Sequence, residues 1–118
     1  VGSSVGDAAG VVERRIHLLL KDADAQFGLV PVDMPWRILD DYIGLGYGRS
    51  TPDELSAQAE ATRISGLLFD PACTGKALYA LREEIRSGRI GTDRNVIFWH
   101  TGGGFAVFAH PQIVDGTE

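Results

Sequence analysis

A chain of 118 residues, 44% hydrophobic and 23% charged, has the size and apolar content of one domain with a real core, which excludes wholesale disorder. Its net charge of −5, with Lys and Arg scattered and no basic stripe, argues against nucleic acid as a partner. A single cysteine excludes an internal disulfide, no apolar run approaches the ~20 residues a bilayer span needs, and the opening residues lack a signal pattern, so a cytoplasmic protein without a membrane segment is expected.

The opening Val1-Gly2-Ser3-Ser4-Val5-Gly6 reads either as a leader or as the end of a strand. From about Asp7 a helix is predicted: Val12, Ile16, Leu19, Leu20, Ala23 and Phe27 fall on one face, Glu13, Arg14, Lys21, Asp22 and Gln26 on the other, and Gly28 supplies a stop. His17 lies on the flank of that helix, solvated or partly packed. Leu29 to Pro35 is a connector, and Trp36 to Ile43 carries the β-prone bulk of a strand. Asp40 and Asp41 have no third ligand beside them in sequence, so a solvated edge or turn is expected there rather than a metal pair.

The loop Gly44-Leu45-Gly46-Tyr47-Gly48-Arg49-Ser50 lacks the third glycine of a dinucleotide fingerprint. It presents Tyr47 from a freely turning backbone, either toward a ligand or packed onto the sheet. Thr51-Pro52-Asp53-Glu54 forms a capping box with Pro at the first helical position, opening a helix that runs to about Ser65 and stops at Gly66. Leu67 to Phe69 is short, continuous and apolar, as buried parallel strands are. After the Asp70-to-Gly75 turn, Ala77, Leu78, Leu81 and Ile85 mark a helix from about Lys76 to Ser87, ended by Gly88. Gly91 to Arg94 is a turn, Asn95 to His100 a further apolar strand, and a short helix from Phe105 to His110 closes at Pro111.

This alternation predicts an α/β fold in a single domain over residues 1–118. Its core is a small parallel sheet of three or four strands flanked by helices, part of a three-layer sandwich. Such a sheet is small for an independent fold, so either a larger sheet or a dimer that extends one is expected. The three glycine-rich turns would open on the edge where ligands sit in such sheets. The turn Asp70-Pro71-Ala72-Cys73-Thr74-Gly75-Lys76 offers a hydroxyl, a thiol and a helix N-terminus that favours anions. Cys73 beside that terminus reads as a thiol of lowered pKa or as a small buried hydrophobe. His100-Thr101-Gly102-Gly103-Gly104 is a second anion-compatible turn, and Lys76 lacks the frame of a Walker lysine.

Taken together, Gly44-Leu45-Gly46-Tyr47-Gly48, Leu68 to Leu78 and Val96-Ile97-Phe98-Trp99-His100-Thr101-Gly102-Gly103 resemble pyridoxal-phosphate enzymes of the tryptophan-synthase-β fold (fold type II). The D-cysteine desulfhydrase and 1-aminocyclopropane-1-carboxylate deaminase group is the nearest in pattern. Order and spacing match the C-terminal third of that group, part of its large cofactor-binding domain, over about Asp7 to Ala109. The resemblance implies that Tyr47 reaches over the cofactor toward the substrate and that Thr74, followed by Gly75, faces the pyridine nitrogen. It also implies that His100, Thr101, Gly102 and Gly103 line the far side of the ring. A hydroxyl in place of a carboxylate at Thr74 resembles the desulfhydrase-like members and β-elimination. Cys73 stands where the family has a second active-site tyrosine.

The Schiff-base lysine, its Ser-Asn neighbours and the phosphate cradle lie in the family's N-terminal two thirds, and Lys21 and Lys76 are the only lysines here. The resemblance therefore implies a lyase or deaminase portion acting on a small amino acid with pyridoxal phosphate, incomplete alone and paired with an N-terminal half or a second copy. Two other classes stay open: a non-catalytic module that binds itself or a partner, and a small anion-binding domain. No metal site is expected.

Overall fold

The computed structural model describes residues 1–28 and 35–110. In chain order they form β1 (Gly2–Ser3), α1 (Ala9–Phe27), β2 (Ile38–Leu39), α2 (Pro52–Ser65), α3 (Thr74–Arg86) and a closing 3₁₀-helix (Gly104–Ala109). The strands β1 and β2 pair in parallel, Gly2 opposite Ile38 and Ser3 opposite Leu39. The ladder is flanked by bonds from Gly2 N–H to the Arg37 carbonyl at 2.8 Å and from Ser4 N–H to the Leu39 carbonyl at 2.7 Å. The α/β class therefore holds, with helices outnumbering strands.

Each helix boundary has a local cause. Ala8 offers no side-chain cap to α1, so the Asp40 carboxylate reaches across from the end of β2 and accepts the Ala9 N–H at 2.7 Å. This is where one of the paired aspartates goes. The helix ends as predicted at Gly28. At α2 the capping box is complete: Glu54 N–H donates to Thr51 Oγ1 at 3.2 Å and Thr51 N–H donates to Glu54 Oε2 at 2.7 Å. Gly66, at φ 72°, takes the left-handed conformation that closes the helix. His17 packs its ring 5.1 Å from Trp36.

Three predicted strands come out differently. The Trp36–Ile43 strand shrinks to Ile38–Leu39, because the chain turns at Asp40, with Ile43 N–H bonded back to the Asp40 carbonyl at 3.3 Å. Leu67–Phe69 and Asn95–His100 join no ladder among the described residues. A strand is held by the neighbour that takes its backbone groups, and these two segments meet through side chains instead. Phe69 packs edge-on to Phe98 at 5.9 Å, and His100 Nε2 bonds the Leu68 carbonyl at 2.9 Å. The three-or-four-stranded sheet is thus a two-stranded one here, and α3 begins at Thr74, two residues earlier than predicted. The last helix is a 3₁₀-helix starting at Gly104. The Leu29–Pro35 connector, Pro35 apart, and Pro111 lie outside the described residues.

What locks α2 to α3 is polar. Lys76 and Glu54 are fully buried, with Lys76 Nζ 3.1 Å from Glu54 Oε1 and donating to the Ile43 carbonyl at 2.9 Å. One ammonium thus ties α3, the α2 cap and the loop that carries Tyr47. Gly75 sits where the helices meet: a Cβ there would lie 2.3 Å from the Gln58 amide carbon and 2.6 Å from the Asp70 carbonyl oxygen. At the other end of α3, buried Glu84 accepts from Arg37 Nη2 at 2.6 Å, Arg89 Nε at 2.7 Å and the Tyr42 hydroxyl at 2.8 Å. Burial alone would push the Glu84 carboxyl up. The bonds from Arg89 and Tyr42 and the Arg89 and Arg37 charges outweigh it and hold the group below its ordinary value.

The apolar residues behave oppositely. The stripe predicted to bury α1 is only partly covered: Val12, Ile16 and Ala23 are half-buried, whereas Leu19, Leu20 and Phe27 are exposed, as are Leu67 and Leu68. Ile97 and Trp99 keep 89% and 83% of their surface. No helix among the described residues is long and apolar enough to cross a membrane.

Two stability predictions follow from these locks. Lys76→Met leaves Glu54 buried without its counter-charge and should cost about 3–5 kcal/mol; the Lys76→Met/Glu54→Gln pair should cost less than the two single changes added together, measured by urea unfolding. Because the Glu84 carboxyl is depressed in the folded chain, its contribution is present above the ordinary carboxyl pKa and is lost as pH falls through the folded value. Glu84→Gln should therefore lower stability at pH 7 and flatten its decline on the acid side, followed by unfolding midpoint against pH.

Candidate functional site

Asp70 is where the predicted site begins. It ends the Leu67–Phe69 segment, is buried, and folds its carboxylate back over the first turn of α3. Oδ1 accepts the N–H groups of Ala72 at 2.8 Å and Cys73 at 2.7 Å. Oδ2 accepts the Thr74 N–H at 3.0 Å and the Thr74 hydroxyl at 2.9 Å. The Asp70 N–H in turn donates to Thr74 Oγ1 at 3.0 Å, and its carbonyl accepts the Gly75 N–H at 2.7 Å. Burial works to raise the Asp70 pKa, but the Thr74 and Cys73 N–H groups, the Thr74 hydroxyl and the Ala72 N–H together hold it below the ordinary value.

That closure changes the reading of the turn. The N–H groups that would greet an external anion at the start of α3 are already filled by the chain's own carboxylate, so this helix end is no open phosphate site. Cys73 is affected too. Burial raises its pKa, the Asp70 charge raises it further, and a hydrogen bond with Tyr47 acts the other way without prevailing. Of the two readings of Cys73, a thiol of lowered pKa is overturned, because burial first and the Asp70 charge second both push it up. Cys73 is a thiol at neutral pH.

Thr74 also meets the second turn, its Oγ1 lying 3.3 Å from the Gly102 carbonyl. Gly103, at φ 92°, passes so close that a Cβ would lie 2.3 Å from Asp70 Oδ2. His100 is fixed from both ring nitrogens. The Leu68 carbonyl can only accept, so Nε2 carries the proton; the Gly102 N–H at 3.1 Å can only donate, so Nδ1 is bare. His100 is thus a neutral imidazole packed 5.1 Å from Phe69. Thr101 sits exposed on the turn.

Tyr47, 69% exposed, stands at the rim of a groove of about 560 Å³ shared with Ser3, Ser4, Val5 and Gly6. Ser3 Oγ is buried and has no hydrogen-bond partner among the described residues. A larger groove of about 680 Å³ lies elsewhere, bordered by Tyr42, Asp53, Tyr79 and Arg89, and none of the predicted site residues lines it.

Tyr47, Cys73, Thr74, Gly75, His100 and Gly102 therefore share one continuous patch centred on Asp70, with Thr101 at its exposed margin. Lys76, although next in sequence, points into the Glu54 pair, and Lys21 is exposed on α1. Asp70 is the functional candidate that the sequence reading passed over. An Asp four residues before a Thr at a helix start is a recognisable turn-and-cap signal. Ser3 was legible only once β1 set it beside Tyr47. A hydroxyl backed by a carboxylate suits the nitrogen of an aromatic ring, whereas no lysine on this patch is free to bond a carbonyl carbon.

No protein-family model matches the chain. It is 39% identical over 114 residues to the D-cysteine desulfhydrase of Yersinia enterocolitica, an alignment covering 96% of this chain and 34% of that protein. It is 39% identical over 75 residues to the D-cysteine desulfhydrase of Klebsiella pneumoniae, covering 63% and 23%. A Thermotoga maritima protein provisionally named a 1-aminocyclopropane-1-carboxylate deaminase is 33% identical over 87 residues, covering 74% and 27%. The chain thus spans about a third or less of the length of the relatives it matches. With the patch at Asp70 and these alignments side by side, the chain belongs to the D-cysteine desulfhydrase and 1-aminocyclopropane-1-carboxylate deaminase family, over that portion of its length.

Proposed function

We propose that this chain is the C-terminal, ring-nitrogen and substrate-facing portion of a cytoplasmic pyridoxal-phosphate lyase that eliminates from, or deaminates, a small amino acid. The observation that carries it is the single patch formed by Tyr47, Cys73, Thr74, His100 and Gly102 around Asp70, on segments spanned by the alignment to the Yersinia protein.

The residues present fit one end of the cofactor. In this reading Thr74, its hydroxyl bonded to Asp70, stands on the ring-nitrogen side, and the His100–Gly103 turn forms the wall beside it. Nothing on the patch cradles a phosphate, since the α3 N–H groups are spent on Asp70, and Lys76 is held by Glu54. Those two functions fall to the rest of the family fold, and so does covering the exposed apolar residues of α1 and of the unpaired segments. When bound, pyridoxal phosphate supplies an electron sink for the pair left on the substrate α-carbon. Tyr47, standing over the Ser3–Gly6 groove, orients the substrate and serves proton transfer at its hydroxyl. Cys73, its thiol pushed up by burial and the Asp70 charge, lies beside Tyr47 as an uncharged neighbour. A hydroxyl rather than a carboxylate at Thr74 favours β-elimination from a D-cysteine-like substrate over deamination.

The test is complementation. Co-expressed with the roughly two thirds of the Yersinia relative outside the matched segment, the chain should form a one-to-one complex that takes up pyridoxal phosphate and releases sulfide from D-cysteine, while neither piece does so alone. Turnover by the chain by itself, or a complex that binds no cofactor, overturns the proposal. A stable dimer of the chain that ignores the added fragment would instead favour a self-associating module. In the active complex, Tyr47→Phe should lower kcat about 10²-fold or more with assembly unchanged.

A further inference from the structure

Resting on that reading, we infer that residues 96–100 are the docking strand of this chain. Strands from the remaining part of the family fold pair with its backbone, and a packed layer of that part covers Ile97 and Trp99.

The segment already has the side-chain order of a strand. Ile97 and Trp99 keep 89% and 83% of their surface, whereas Phe98 and His100, the alternate residues, are half-buried. The Phe98 and His100 rings lie 6.3 Å apart, close to the ~6.6 Å that separates every second residue on one face of a strand. Both rings turn toward Phe69, at 5.9 Å and 5.1 Å. The backbone is therefore extended, with one set of side chains inward and the other outward.

What the segment lacks is a ladder. No main-chain group of residues 96–100 takes part in a backbone hydrogen bond among the described residues. Leu67–Phe69, although beside it, does not fill that role, because the Leu68 carbonyl is taken by the His100 ring. Exposed main-chain groups along an extended apolar run are a template for another strand.

The outward face decides the occupant. A strand with one face in solvent alternates apolar and polar residues, but here Phe98 points inward and Ile97 and Trp99 point outward. Apolar bulk on both faces belongs to a strand that is covered on both. A second copy meeting this edge would extend the sheet and leave Ile97 and Trp99 bare. A larger body supplies an edge and a cover together, and the chain matches only 34% of the Yersinia relative. The same placement ties assembly to the site. Residues 96–100 run directly into the turn whose Gly102 carbonyl lies 3.3 Å from Thr74 Oγ1.

The measurement is amide hydrogen exchange at Ile97, Phe98 and Trp99. It compares the chain alone with its complex with the roughly two thirds of the Yersinia relative outside the matched segment. In the chain alone these amides should exchange freely at every concentration; in the complex they should slow by ~10²-fold or more. Ile97→Pro removes an N–H from the strand and should weaken assembly at least ~10-fold more than Ile97→Ala, which keeps it. Because Ile97 is so exposed, both variants should leave the unfolding midpoint of the chain alone unchanged. A complex whose 97–99 amides still exchange freely, or one that Ile97→Pro weakens no more than Ile97→Ala, overturns the inference and leaves the proposed function standing. Protection that rises with concentration in the chain alone also overturns it, since the occupant is then a second copy. Failure to form any complex overturns the proposed function itself.

Discussion

The structure turns on one carboxylate. The Asp70 side chain satisfies three N–H groups and a hydroxyl at the start of α3, and its main chain bonds that same hydroxyl and one further group, the Gly75 N–H. A helix of thirteen residues begins with unpaired donors, and here the Cys73, Thr74 and Gly75 N–H groups are met by Asp70 rather than by solvent or ligand. Everything placed nearby inherits that choice. Cys73 stays protonated, Thr74 loses the freedom to point its proton outward, and Gly103 can pass over Oδ2 only because it has no side chain.

The second constraint is the buried ammonium of Lys76. Its partners belong to the α2 cap and to the carbonyl at Ile43, so the position of the Tyr47 loop is set from beneath by a helix that starts at Thr74. The two halves of the patch, Tyr47 on one loop and Thr74 on another, are therefore indexed to each other through the interior. In a molecule this size a core of Leu39, Ala57, Phe69 and Ala80 is modest beside buried Glu54, Gln58, Asp70, Lys76 and Glu84. Specificity of arrangement, more than apolar area, is what these helices share.

Where local chemistry decides, the sequence was readable. Thr51, Pro52 and Glu54 declare the start of α2 with no help from the rest of the chain, and Gly28 and Gly66 end helices where a left-handed residue is needed. What failed was whatever depends on a neighbour. Leu67–Phe69 and Asn95–His100 have the composition of strands, but composition cannot supply the second backbone that makes a ladder. Of the two readings left open for Cys73, the lowered pKa fails because burial, with the Asp70 charge behind it, is a tertiary fact that the visible helix terminus does not reveal. Asp40 and Asp41 do lie at a turn as expected, but that Asp40 also caps a helix some thirty residues earlier is visible only in the fold.

The β1–β2 ladder has a consequence for how the molecule assembles. To make it, the chain must close a loop from Gly2 to Ile38 around all of α1, and the reward is two paired residues. The joining of α2 to α3 closes a shorter loop and gains a buried ion pair, a capping box and a helix interface. Loop-closure entropy grows only slowly with length, so the difference lies in the reward. The α2–α3 hairpin therefore holds the denser set of buried bonds, and the Asp70 turn sits within it, whereas the Ser3–Gly6 side of the groove beside Tyr47 depends on the sparser amino-terminal packing.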